Sequence, residues 1–148
     1  MYSGTTIAAV GIACHEAGHA IQYAKGYAPI KMRNKLIPIT NIGSNLGLIL
    51  ILLGIVLSNT LYFAQTLVLV GIALYSFVVL LQLVTLPVEF NASRRALSVI
   101  SETGMLNDIE TEKAKQVLSA AAMTYVAALL VSIMSLLRLI LRTRNRRN

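Results

Sequence analysis

From Leu36 through Val88 the chain carries no charged side chain, and within that run the polar triplet Ser58-Asn59-Thr60 interrupts two apolar stretches. As helix this stretch is about 80 Å long against a hydrocarbon layer of about 30 Å, so it predicts two passages joined by a turn. Short polar side chains suit the reversal, which divides the run into apolar segments at Ile42–Leu57 and Leu61–Leu86 and gives a transmembrane hairpin over 42–86. A second uncharged stretch, Gln116–Leu137, predicts a third transmembrane segment over 116–141. Ahead of the hairpin, Ile7, Ala8, Ala9, Val10, Ile12, Ala13, Ala20 and Ile21 are apolar nearly all round a helix predicted over 5–24. That pattern describes a buried or membrane-embedded helix. Ser3, Thr5 or Thr6 can cap its start, and Gly26 lies just past its end.

The punctuation between these segments completes an all-α reading: an integral membrane helical bundle, one domain over 1–148, with the first helix packed beside about three transmembrane helices. Pro29 and Pro38 bracket a basic segment and predict a non-helical connection. Pro87 is expected to end the second passage or open the next helix, a separate one over 88–100 that Ser101-Glu102-Thr103-Gly104 closes. Asn107–Lys115 is the most polar stretch, and Asp108 is the expected cap of the helix that flows into the third passage.

Composition agrees with a bilayer: 56% hydrophobic, 13% charged, mean hydropathy +0.70. The net charge of +7 reads first as an orientation signal, ahead of nucleic-acid binding, and no nucleic-acid partner is expected. Lys25, Lys31, Arg33 and Lys35 precede the first passage, and Arg94, Arg95, Lys113 and Lys115 follow the second, so that side is expected to face the cytoplasm. Arg138, Arg142, Arg144, Arg146 and Arg147 would emerge opposite after three crossings, against the same rule. A last segment that stops short, a tail that tolerates its place, or an inverted topology would each reconcile the two. Cys14, the sole cysteine, forms no internal disulfide and reads as a small buried apolar residue.

The chemistry sits in the first helix. His15-Glu16-Ala17-Gly18-His19 contains both histidines of the chain, four residues apart, so their imidazoles leave one helix face one above the other. Neutral imidazole is a good zinc ligand, a catalytic zinc keeps a position open for water, and a glutamate next to the first histidine can take a proton from that water without binding metal. His15 and His19 are therefore candidate Zn2+ ligands and Glu16 the candidate catalytic base. A third ligand is generally needed. Glu89, just past the uncharged hairpin, is the best-placed carboxylate; Glu102, Asp108, Glu110 and Glu112 fall in polar surroundings and read as solvated. Arg94 and Arg95 are candidates for oxyanion stabilisation, with interfacial snorkelling favoured.

Four blocks, HEAGHAIQYAKGYAPIKMR, PITNIGSNL, TLPVEFNASRRAL and VLSAAAMTYVAALL, together resemble the YugP-type membrane zinc metallopeptidases in order and distance over nearly the whole chain. More distantly the arrangement is similar to integral-membrane peptidases of the HtpX type, whose third ligand is a glutamate in a helix reading E-F-x-A-D. The resemblance implies a zinc-dependent membrane endopeptidase in the cell membrane acting on protein or peptide, with His15, His19 and Glu89 on Zn2+ and Glu16 as base. It also implies that Ser93 stands where the more distant pattern has an aspartate supporting a zinc-bound histidine, and that Asn91 replaces an aspartate usual in the nearer family. Family members typically begin with a further membrane helix and a polar region, so a homo-oligomer or a partner supplying that portion is expected beside membrane lipid. The rival class is a catalytically inactive membrane subunit with a structural or vestigial metal site, binding partners through its helices, where Gly43, Gly47, Gly54 and Gly71 would allow close approach.

Overall fold

A computed structural model describes residues 6–145. The described residues are mostly helical, joined by short turns and with no strand: α1 (Ile7–Ala24), α2 (Ala28–Val56), a 3-10 turn (Leu57–Asn59), α3 (Ala64–Thr103) and α4 (Asp108–Asn145). Thr6 is the N-cap of α1, its Oγ1 accepting from Ala9 N at 3.2 Å; the other candidate caps, Ser3 and Thr5, lie outside the described residues, as do Arg146 and Arg147. The helix ends in a Schellman turn. Gly26 takes φ +64°, its N–H reaches Tyr23 O, and Tyr27 N–H reaches Gln22 O.

Two proline expectations are corrected. The basic segment is helical: α2 begins at Ala28, so Pro29 falls in the first turn, where its missing N–H has no partner to lose, and Pro38 is enclosed by the helix. Pro87 likewise lies inside α3, which runs without a break through the expected boundary to Thr103. A proline costs a water-exposed helix about 3 kcal/mol. Leaving the helix in an apolar setting would strand several backbone groups at several kcal/mol each, so continuity is the smaller loss. The cap of α4 is also corrected from Asp108 to Asn107. Asn107 Oδ1 accepts from Glu110 N at 2.9 Å, while Glu110 Oε2 accepts from Asn107 N at 3.1 Å. This reciprocal pair satisfies two donors that Asp108 alone would not.

Among the described residues, three helices are long and apolar enough to cross a membrane: Ala28–Asn59, Ala64–Thr103 and Asp108–Arg144. The described chain divides into two compact units, Met1–Lys31 with Val84–Ala127, and Met32–Leu83 with Ala128–Asn148. In the second unit, α2 and α3 touch backbone to backbone. A Cβ on Gly47 would lie 2.8 Å from Gly71 O, and one on Gly71 2.6 Å from Gly47 O. Gly54 is likewise closed off by Ala64 O at 2.7 Å. These glycines are spent on the chain's own hairpin. Large apolar side chains such as Ile42, Leu52, Val56 and Val131 remain exposed, as a lipid-facing surface requires.

The first unit has a core of Cys14 from α1, Ala96 and Ile100 from α3, and Ala114 and Leu118 from α4. Cys14 is a packing residue here, as its sequence context predicts, and burial pushes its thiol pKa up, away from thiolate chemistry. Gly18 brings α1 against α3: a Cβ there would sit 2.5 Å from Ala92 O. This contact sets the metal-motif face of α1 beside the turn of α3 that contains Glu89.

Candidate metal centre

The structure brings His15, His19 and Glu89 together across 74 and 70 positions of sequence; their candidate ligand atoms all lie within 4.8 Å of one another. His15 Nε2 is 3.1 Å and His19 Nε2 3.5 Å from the same Glu89 oxygen, Oε2. The two rings stand edge to face, centroids 4.8 Å apart. Glu89 is 2% exposed, and the imidazoles are 18% and 16% exposed. One carboxylate is thus sunk beneath two rings that reach solvent.

These residues fit a zinc ion. Ligand bonds of about 2.0–2.2 Å in tetrahedral array put neighbouring donor atoms about 3.3–3.6 Å apart; the two histidine–carboxylate separations, 3.1 and 3.5 Å, are close to this, within a group of ligand atoms that spans up to 4.8 Å. The donor set, two imidazole nitrogens and one carboxylate, is one that zinc takes. A cation among these groups would offset the cost of burying the Glu89 carboxylate.

Each imidazole is held from behind by its other nitrogen. His15 Nδ1 lies 3.1 Å from Ser93 Oγ, which gives the ring's second nitrogen a polar partner. His19 Nδ1 lies 2.9 Å from Gln22 Oε1. Gln22 is fully buried, and its Nε2 donates to Val88 O at 2.8 Å and to Asn91 Oδ1 at 3.1 Å. Arg95 Nε donates to the same Asn91 oxygen at 2.8 Å. Arg95 is therefore engaged within the site's support, a role neither sequence alternative anticipated, while Arg94 is exposed.

Glu16 is exposed on α1, next to His15 and outside the His15–His19–Glu89 cluster. Glu102, Asp108, Glu110 and Glu112 stay at the surface in local helix contacts or solvent, as their sequence context predicts: Glu102 accepts from Ser98, Glu110 caps α4, and Glu112 pairs with Lys115. The residue that sequence reasoning missed is Gln22. Its signal was its place three residues after His19, on the motif's own face, as the one amide in an otherwise apolar stretch.

The fold and this centre define a class, and sequence comparison agrees. The profile of the family described as putative neutral zinc metallopeptidase matches residues 1–144, and the chain belongs to that family. Among curated proteins, the putative membrane protease YugP of Bacillus subtilis (strain 168) is similar to it, 43% identical over 141 residues, 95% of this chain and 60% of the relative. The chain thus spans about 60% of the length of the relative it matches. No solved structure matches it.

Proposed function

We propose that the chain is the metal-binding part of a zinc-dependent membrane endopeptidase, with His15, His19 and Glu89 holding Zn2+ and Glu16 acting as general base. The observation that carries this reading is the convergence of both Nε2 atoms on one buried oxygen of Glu89. Zinc bound there would supply Lewis acidity to a water and to the scissile carbonyl. The chain's own residues do the rest. Glu16, exposed and one position from His15, takes the proton from the attacking water and later delivers it to the leaving amine. Ser93 and Gln22 hold the two imidazoles in place so that only substrate and water need to move.

The basic residues around α1 and at the far end of α3 favour a cytoplasmic site in the cell membrane, with a protein or peptide segment near the bilayer as substrate. The inactive-subunit alternative draws less support from its glycines, since Gly47, Gly54 and Gly71 pack inside the chain's own hairpin, while a Cβ on Gly43 would meet Leu74 O at an ordinary 3.5 Å.

Glu16→Gln tests the reading. Bound zinc per purified chain should equal wild type, while cleavage of unfolded casein by membranes containing the protein should fall about 10²–10⁴-fold. Undiminished cleavage would overturn the assignment of Glu16; cleavage that persists after both histidines are replaced by alanine would overturn the metallopeptidase reading altogether.

A further inference from the structure

Two obligate hydrogen-bonding groups, Arg95 and the Val88 carbonyl, between them dictate which ring nitrogen of His19 carries its proton. The nitrogen and oxygen of a side-chain amide are close in shape, and a neutral imidazole has two tautomers, so neither orientation is self-evident. The guanidinium of Arg95 can only donate, and its Nε lies 2.8 Å from an Asn91 amide atom; that atom is therefore oxygen. The same oxygen lies 3.1 Å from one amide atom of Gln22, which must then be nitrogen. Val88 O, which can only accept, lies 2.8 Å from that nitrogen and demands the same result independently. The other amide atom of Gln22 is accordingly oxygen, 2.9 Å from His19 Nδ1, so Nδ1 carries the hydrogen. On a neutral ring Nε2 is then bare, and it is Nε2 that lies nearest Glu89 Oε2.

We propose that Arg95, Asn91 and Gln22 form a relay that locks His19 as the Nδ1–H tautomer and aims its Nε2 lone pair at the point shared with His15 and Glu89. The tautomer stands on hydrogen-bond logic alone; its use in binding metal rests on the reading above. Gln22 is the positioning residue. It is 0% exposed, so no solvent offers a substitute partner. Reversing its amide would set nitrogen against the Nδ1 hydrogen and oxygen against two acceptors, losing all three bonds together. Ser93, the partner of His15 Nδ1, has no such authority, because a hydroxyl donates or accepts as the ring requires. The two ligand histidines are therefore held differently, one fixed in tautomer and one adaptable.

The chain has two histidines, so ring-¹⁵N-histidine labelling of the full chain in detergent micelles yields two ring systems, and a His15→Asn variant assigns them. With the imidazoles neutral, His19 of the wild type should give a single Nδ1–H signature. Gln22→Leu should turn it into a tautomer mixture and weaken Co2+ binding about 10–100-fold. Gln22→Glu keeps the acceptor but not the donor: it should retain the Nδ1–H signature and bind Co2+ within about threefold of wild type, with a lowered melting temperature. An Nε2–H signature in the wild type would overturn the relay, and this measurement needs no variant of Gln22 to fold. So would a Gln22→Leu protein with unchanged ring signals and Co2+ affinity, or a Gln22→Glu protein as defective in both as the leucine variant. A wild type with the Nδ1–H signature but no Co2+ uptake would sink the metallopeptidase reading and leave the relay standing.

Discussion

Glu89 is 2% exposed on a helix whose preceding turns are apolar, a placement that only a strong compensating partner makes tolerable. A dication held between Glu89 and the two imidazoles would supply opposite charge directly beside this carboxylate. Glu89→Gln keeps the volume and removes the charge, so it separates the two contributions. We expect the glutamine variant to fold but to bind Co2+ at least about 10-fold more weakly than wild type, a change of about 1.4 kcal/mol or more, read by titration of the visible absorption band. Equal affinity would exclude Glu89 as a ligand. His15, His19 and Glu89 were legible in the sequence because polar groups are rare where they occur and zinc chemistry restricts their spacing. Gln22 was not, because an amide announces no chemistry until its neighbours are known. Val88 and Asn91 reach it only through the fold.

The helices teach a related lesson about what patterns decide. Long uncharged runs fixed the number and rough place of α2, α3 and α4, and the polar triplet Ser58-Asn59-Thr60 marked the reversal. Proline rules, drawn from helices in water, misplaced the breaks at Pro38 and Pro87, since an apolar environment raises the cost of interrupting a helix above the cost of one missing N–H. Close approach was only half visible. The sequence offers many glycines, yet they differ in what surrounds them. At Gly18 an added Cβ meets Ala92 O at 2.5 Å and its carbonyl carbon at 3.2 Å, a backbone that cannot swing aside. At Gly11 it would meet Ala114 Cβ at 3.8 Å and Leu118 Cγ at 4.0 Å, ordinary packing distances. Replacing a helical glycine by alanine gains about 1 kcal/mol of propensity, while overpacking costs about 1–3 kcal/mol. Gly11→Ala should therefore raise the melting temperature or leave it unchanged. Gly18→Ala should lower it and, by pushing α1 off α3, also reduce bound zinc. Calorimetry with metal analysis on both variants checks the pair; equal behaviour would mean that the Gly18 contact does not position the centre.

Charge is divided unevenly along the whole molecule, and the division bears on its orientation. All six acidic residues fall within Met1–Lys31 and Val84–Ala127, the stretches that also contain the candidate centre, whereas Met32–Leu83 and Ala128–Asn148 contain basic residues and no carboxylate. Three helices of sufficient length make an odd number of crossings, so the chain just before α2 and the end of α4 should face opposite sides. The positive-inside rule then favours one end of the chain at the expense of the other, because Arg138, Arg142 and Arg144 follow the last crossing. Lys25, Lys31, Arg33 and Lys35 together with Arg94, Arg95, Lys113 and Lys115 outnumber the basic residues at the end of α4, which weights the rule toward their side as the cytoplasmic one. The expected outcome is that the loop at Tyr27 lies in the cytoplasm and the end of α4 outside. Tyr27→Cys and Arg144→Cys, each in a Cys14→Ala background so that no other thiol reacts, should be labelled by a membrane-impermeant maleimide from opposite faces of intact cells and inverted vesicles. Labelling of both from one face would mean that one helix, despite its length, does not cross, and α4 with its polar first turns and basic last turn is the helix that would then lie along the surface.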